Sequence, residues 1–133
     1  MNATARYDTT PLHIAAAHEN AEAVRLLIER GADVNARDEY GCTPLHDAAR
    51  TRSIETVQAL LSGGADANAG DAYDTTPLHL AARFDRPAVV KLLLEAGADP
   101  GAGNDFGVSP IEEARRKRHA ETSNVFAEWS RNQ

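Results

Sequence analysis

Three histidines, His13, His46 and His79, recur at equal intervals of 33 residues and are the first residues in this sequence that could do chemistry. Imidazole is a common zinc ligand, so an aligned set raises the hypothesis of a metal site. The ligands of one zinc ion each lie about 2.0–2.1 Å from it. Side chains that repeat on stacked helices lie about 8–10 Å apart. The spacing therefore argues against a metal and predicts that each ring hydrogen-bonds its own threonine and a neighbouring backbone group. The other two histidines, His18 and His119, are expected to face solvent.

The single cysteine, Cys42, is the second candidate, because a thiolate can act as a nucleophile. A catalytic cysteine needs a general base within hydrogen-bond reach, and nothing in the sequence indicates one. We therefore expect a surface thiol. Gly63-Gly64 resembles a helix end rather than a phosphate-binding loop. Three recurring aspartates are interpreted as turn formers that are too far apart to act as a carboxylate pair: Asp33, Asp66 and Asp99. These observations predict no catalytic residues, no metal, no cofactor and no enzyme activity.

Composition and charge limit the remaining function classes. The chain has 133 residues, of which 42% are apolar and 26% are charged, as in a globular domain. Its net charge of −6 argues against nucleic-acid binding, which favours a basic surface. No apolar run is long enough to span a bilayer, and the first residues contain no apolar core of a secretory signal. A single cysteine suits a reducing compartment, so we expect a cytoplasmic location.

The histidines belong to a tetrapeptide that predicts the starts of helices. It occurs three times unchanged, and a fourth, divergent copy follows at the same interval: Thr10-Pro11-Leu12-His13, Thr43-Pro44-Leu45-His46, Thr76-Pro77-Leu78-His79 and Ser109-Pro110-Ile111-Glu112. Threonine or serine at the N-cap supplies an oxygen to a free backbone N–H of the first turn. Proline at the next position is already in a helical conformation and needs no hydrogen bond there. Leucine or isoleucine then begins the apolar face.

A second helix and a projecting loop complete each repeat. Gly31, Gly64 and Gly97 keep the same interval and predict the C-terminal ends of the second helices. The segments that follow are rich in Asp, Asn and Gly, which is typical of hairpin-like turns. A fixed period of this length is the signature of a stacked-repeat protein. The sequence predicts one domain over residues 1–133, with units at 5–37, 38–70, 71–103 and 104–133.

The repeated words and their period resemble those of ankyrin repeats. The words are Thr-Pro-Leu-His-x-Ala-Ala, Leu-Leu and Gly-Ala-Asp-x-Asn-Ala, and the resemblance covers residues 5 to 129, nearly the whole chain. It implies an all-α solenoid in which antiparallel helix pairs stack side by side and short β-hairpin fingers project from them. It also implies a non-enzymatic protein–protein interaction module, which binds a partner on the concave face of finger tips and first helices.

The fourth unit departs from the others in a way that predicts a C-terminal cap. Thr122 and Ser123 stand where the third unit has Val89 and Val90, and a last repeat needs a polar outer face. Three apolar residues of the last helix are expected to pack back onto unit three: Val125, Phe126 and Trp129. The last finger has no asparagine at the position of Asn35 and Asn68, so we expect it to be looser.

Two rows of aligned side chains are the candidate partner-binding residues. The first is aromatic and lies on the predicted fingers: Tyr7, Tyr40, Tyr73 and Phe106. Such rings either bind a partner, as tyrosines often do at interfaces, or pack on neighbouring fingers, and both readings stay open. The second row is basic and lies near the ends of the first helices, with an adjacent phenylalanine: Arg50, Arg83, Arg116 and Phe84. Cations are also favoured there by the helix dipole.

The sequence therefore predicts binding of another protein through an acidic or mixed polar segment of that partner. Charge reversal at Arg50 and Arg83 is expected to abolish binding while leaving the melting temperature nearly unchanged. The alternative function is a scaffold that self-associates, because the N-terminal unit keeps an apolar outer side. We expect a monomer, with a dimer through the N-terminal unit as the alternative.

Overall fold

The computed structural model describes residues 8–133, and these residues form eight helices. The helices come in four pairs, in which a helix of six or seven residues precedes one of nine or twelve. In chain order they are α1 (Pro11–Ala17), α2 (Ala21–Glu29), α3 (Pro44–Ala49), α4 (Ile54–Ser62), α5 (Pro77–Arg83), α6 (Pro87–Glu95), α7 (Pro110–Arg116) and α8 (Ala120–Arg131). No helix within residues 8–133 is long and apolar enough to cross a membrane.

Each first helix begins at the proline of the repeated tetrapeptide, as predicted. At α5 the Thr76 hydroxyl accepts a hydrogen bond from the His79 backbone N–H at 3.4 Å, and the Thr76 N–H donates to His79 Nδ1 at 3.0 Å. This is a capping box in which imidazole takes the place of the usual glutamate or glutamine. Ser109 and Glu112 form the same pair at α7, with the carboxylate in that place. Short helices are stabilised because their free N–H groups are satisfied locally.

The second helices end where the sequence predicts. Gly31, Gly64 and Gly97 have φ values of 92°, 99° and 95°, a conformation that glycine adopts without steric cost. In α6, Val89, Val90, Leu93 and Leu94 are all buried. A helix that is apolar around so much of its circumference must be covered on several sides, and stacking provides this cover.

The helices form two layers that share one core. The first helices α1, α3, α5 and α7 pack side by side, and so do α2, α4, α6 and α8. Leu45 and Leu78 occupy equivalent, fully buried places between the layers. Small residues line the seams between first helices, where Ala48, Ala49 and Ala81 are fully buried. The backbones can therefore approach closely, and each pair completes the core of its neighbour.

The last helix packs onto the preceding pair as predicted. Phe126 is buried in the core, and Val125 and Trp129 pack against it. Thr122 is fully buried and its hydroxyl donates to the carboxylate of Asp85 at 2.8 Å. A polar residue at this position is thus satisfied by the neighbouring repeat, so it costs little to bury. The expectation that Thr122 contributes to a polar outer face is wrong, because its side chain faces the preceding pair.

The fingers are tight turns, and residues 8–133 contain no β-strand. We call residues 38–42, 71–75 and 104–108 the three fingers. In the second finger the Asp71 N–H donates to Thr75 O at 2.9 Å, which closes a five-residue loop. Neighbouring fingers are joined by single hydrogen bonds, from Ala72 N–H to Tyr40 O at 2.9 Å and from Asp105 N–H to Tyr73 O at 2.8 Å. Loops this short make hairpin-like turns but no continuous ladder.

Candidate interaction surface

The histidine row fixes each finger onto the helix pair before it. Each Nε2 atom lies 2.8 Å from a backbone carbonyl oxygen of the finger that follows its helix pair. The pairs are His13 with Cys42, His46 with Thr75 and His79 with Val108. Because each Nδ1 accepts a backbone N–H, Nε2 carries the proton and donates it. Both ring nitrogens are thus occupied, which confirms the predicted structural role. Burial lowers the pKa of His46 and of His79 below its ordinary value.

An acidic or amide side chain at the start of each finger sets the position of the aromatic residue two places later. Asp71 Oδ1 accepts from the backbone N–H groups of Tyr73 at 2.8 Å and Thr75 at 3.0 Å. Asp38 and Asn104 make the same pair of bonds in their fingers. These residues are not among the predicted site residues, although their 33-residue spacing was a usable signal. They hold the finger tips in one conformation.

The aromatic row is exposed at the finger tips. Tyr40, Tyr73 and Phe106 are 60%, 56% and 68% exposed. The rings of Tyr73 and Phe106 also contact each other, with centroids 5.5 Å apart and planes tilted by 36°. The two rings therefore pack against each other and remain largely exposed to solvent. Tyr7, the remaining member of the predicted row, lies outside the described residues.

Close contact between fingers depends on a glycine. Gly41 has a φ of 77°, and a Cβ atom there would lie 2.8 Å from the backbone nitrogen of Ala72. Any side chain would push the second finger away from the first. The arginine before the first finger strengthens the same junction, because Arg37 Nη1 donates to the carbonyls of Gly41 and Gly70. The surface formed by the finger tips is thus tied together at its base.

Asparagines bind the bases of the first two fingers to the next repeat. Asn68 Nδ2 donates to Gly97 O at 3.0 Å, and its Oδ1 accepts from the Asp99 N–H at 2.8 Å. Asn35 makes the equivalent bonds one repeat earlier. Gly101 stands at this position in the third repeat and has no side chain to make them. That the last finger is looser stays a prediction. The recurring aspartates are turn formers, as predicted, since Asp99 Oδ1 accepts from the Gly101 N–H at 2.9 Å.

The basic row is not uniform. Arg50 and Arg116 are exposed at the C-terminal ends of α3 and α7, and Phe84, which caps α5, is 42% exposed. Arg83 instead pairs with Glu113, whose Oε2 lies 3.0 Å from its Nε and 2.6 Å from its Nη2. The side chains of Arg83 and Glu113 are 36% and 10% exposed.

The expectation that charge reversal at Arg83 would spare stability is therefore wrong. A glutamate at position 83 would face the buried carboxylate of Glu113 and leave both without a counter-ion. The sequence held only a weak signal for this pair. The position of Glu113 is apolar in two earlier repeats, as Ile14 and Leu80, but acidic in the second repeat, as Asp47.

Two further predictions are wrong. Cys42 is not a surface thiol: it is 6% exposed, and burial together with Asp38 and Asp71 raises its pKa to about 12. The residues at the same position of the other two fingers, Thr75 and Val108, are buried as well. His119 does not simply face solvent, because it is half-buried, with Nε2 3.0 Å from Arg83 O and Nδ1 3.8 Å from a carboxylate oxygen of Asp85. His18 is exposed, as predicted.

Stacked helix pairs with projecting turns and a shared core define a helical repeat protein. A family model for ankyrin repeats (three copies) matches residues 1–71 and 40–104. The chain belongs to the ankyrin-repeat family. Ankyrin repeats are generally protein–protein interaction modules, and the family is typically non-enzymatic. A search of curated proteins found no match.

Proposed function

We propose that this chain is a non-enzymatic interaction module of the cytoplasm, which binds a partner protein on a concave face made of the finger tips and the first helices. The observation that carries the proposal is the row of exposed rings at the finger tips. Tyr40, Tyr73 and Phe106 stay more than half exposed although hydrogen bonds fix the backbone beneath them. Rings held in this way lose little conformational entropy on binding, so they suit an interface. Tyr7 belongs to the same row by its position in the sequence.

The exposed cations at the ends of the first helices give the proposed surface its charge preference. Arg50 and Arg116 with Phe84 form an edge that favours an acidic or mixed polar segment. Attraction to the helix C-terminus also favours cations there, by about 0.3–1 kcal/mol each. That effect does not require the same position to be basic in three successive repeats. Arg83 contributes to the edge while it is held by Glu113.

Capture of the partner from the native host, followed by mass spectrometry, tests the proposal. The variants Tyr40→Ala/Phe106→Ala and Arg50→Glu/Arg116→Glu should each reduce capture strongly. All four residues are exposed, so the melting temperature should change little. The matched control is Arg25→Glu/Arg131→Glu, which makes the same charge change on exposed residues of α2 and α8. Capture that survives both surface variants would remove this face from the proposal.

A specific observation favours self-association as a second candidate function. Ile14 and Leu26 are 38% and 47% exposed, whereas Leu80 of the third repeat and Ala59 of the second, at the corresponding positions, are buried. Light scattering at several protein concentrations would test a dimer through this apolar side of the first pair. A mass that rises with concentration, and falls to that of a monomer in Leu26→Lys, would support it. A monomer at every concentration would refute it.

A further inference from the structure

The finger tips carry negative charge beside their exposed rings. The three fingers contain five carboxylates and no lysine or arginine: Asp38, Glu39, Asp71, Asp74 and Asp105. Three of these side chains are exposed and directly adjoin an aromatic residue in sequence, namely Glu39, Asp74 and Asp105. Arg37, just before the first finger, has its guanidinium engaged with backbone carbonyls.

Positive charge is gathered at the opposite edge of the first-helix layer. Eight of the chain's 14 cations lie at or just beyond the C-terminal ends of α3, α5 and α7: Arg50, Arg52, Arg83, Arg86, Arg115, Arg116, Lys117 and Arg118. The fingers precede the N-termini of the same helices. A seven-residue helix is about 10 Å long, so this distance and the reach of the fingers separate the two charged edges.

The helix dipole does not account for the acidic finger tips. Its effect falls off within the first turn of a helix. Asp74 lies two residues before the N-cap Thr76, and Asp105 lies four residues before the N-cap Ser109. The first turns of α1 and α5 contain no acidic residue, whereas those of α3 and α7 do. The negative charge of the second finger, which precedes α5, is therefore independent of the helix start.

Exposed rings next to carboxylates are suited to one kind of side chain. A guanidinium group stacks on aromatic faces through cation–π attraction, and its fixed fork of N–H donors matches a carboxylate. Tyr73 and Phe106 are 5.5 Å apart and both are more than half exposed, so they offer ring surface on two neighbouring fingers. Asp105 directly precedes Phe106, and its backbone N–H donates to Tyr73 O at 2.8 Å. An ammonium group would gain the charge attraction but not the planar stacking.

We propose that the finger tips bind arginine side chains of the partner, with the rings of Tyr40, Tyr73 and Phe106 as stacking surfaces and Glu39 and Asp105 as counter-charges. The proposal rests on the proposed function, because it specifies the chemistry of the same partner. The partner segment then crosses the surface in one direction, with its basic residues over the fingers and its acidic residues over the arginines. A segment of reversed charge order brings like charges together at both edges, so it binds more weakly.

Peptide titrations of the isotopically labelled full chain, followed by NMR, test this inference. The probes are an acetylated hexa-arginine peptide, its hexalysine analogue and hexaglutamate. Hexa-arginine should shift the backbone amides of residues 38–42, 71–75 and 104–108, and should bind more tightly than hexalysine. Hexaglutamate should instead shift the amides around the arginines at the other edge. Both effects should weaken as salt is added.

Matched variants separate a finger site from general attraction to an acidic protein. Glu39→Gln/Asp105→Asn should weaken hexa-arginine binding about threefold to tenfold, the size expected for two exposed charge contacts. Tyr73→Leu/Phe106→Leu, which keeps apolar bulk and removes the ring faces, should weaken hexa-arginine more than hexalysine. The control Glu29→Gln/Glu128→Gln removes the same net charge from exposed residues of α2 and α8.

Equal weakening by the finger and control variants would overturn the proposal, because binding would then follow net charge alone. So would hexa-arginine shifts that fall outside the fingers, or no binding at all. These outcomes are distinct from failure of the proposed function. That function fails when capture of the native partner survives both Tyr40→Ala/Phe106→Ala and Arg50→Glu/Arg116→Glu, whatever the peptides do.

Discussion

Acidification from neutral pH should lower the free energy of unfolding through two fully buried imidazoles. His46 and His79 have no exposed surface, and burial lowers the pKa of each below 6.5. Hydrogen bonds to Thr75 O and Val108 O oppose the shift but do not cancel it. The local hydrogen bonds also favour the neutral imidazole, because each Nδ1 accepts the backbone N–H of its own N-cap threonine. Protonation of Nδ1 would remove that acceptor.

The sign and size of the effect follow from proton linkage. The histidines of the unfolded chain titrate near pH 6.5, so below that value the unfolded state binds more protons than the folded state. The stabilisation is therefore complete above about pH 6.5 and is lost as the pH falls through the lowered pKa of the folded state. One such histidine changes the free energy of unfolding by at most about 1.4 kcal/mol per pH unit, and two by about 2.7. Either change is a large fraction of the free energy of unfolding of a typical protein, which is about 5–15 kcal/mol.

Urea unfolding followed by circular dichroism at intervals from about pH 5 to about pH 7.5 measures this slope. The test variant is His46→Gln/His79→Gln, because glutamine can fill the third position of a capping box and does not titrate. It should be less stable at neutral pH but have a shallower pH dependence between pH 5 and pH 6.5. His18→Gln is the control, because it makes the same substitution at an exposed histidine.

Two results would refute this reasoning. One is a double glutamine variant that keeps the wild-type slope, which would show that other groups govern the pH dependence. The other is a wild-type protein that gains stability between pH 6.5 and pH 5.5. Carboxylates titrate mostly below this window, and they are common to all three proteins, so the comparison cancels them.

Three more perturbations test particular contacts. Cys42 should react with iodoacetamide at pH 8 only as fast as the protein unfolds, because its pKa is raised to about 12 and it is buried; rapid labelling of the native protein would contradict this. Arg83→Met should destabilise by about 2–3 kcal/mol in urea unfolding, since it leaves the carboxylate of Glu113 buried alone, whereas Glu113→Leu should cost less; the reverse order would be inconsistent with the observed pair. Asn68→Ala should cost about 1–2 kcal/mol through two lost hydrogen bonds, and an unchanged midpoint would show that these bonds do not contribute.

The sequence determined the helices, because the signals that start and stop them act within a few residues. Thr76 and Pro77 predicted the start of α5, and the helix begins at Pro77; Gly97 predicted the end of α6, and its φ is positive. The 33-residue period determined which residues are equivalent, and a repeated apolar face that one pair cannot bury requires stacking. The unit boundaries and the role of the last unit as a cap stay predictions.

Only the tertiary structure decided which polar side chains are paired and which are free. Arg83 and Glu113 are 30 residues apart, and Cys42 is buried by the packing of its finger, so neither environment can be seen in a local pattern. Likewise, the period aligned Tyr73 with Phe106, but only the fold shows that their rings touch and remain exposed. Burial and ion pairing depend on which side chains of the neighbouring repeat lie close to a residue. A sequence period shows which positions are equivalent, but it does not give the distances between side chains of different repeats.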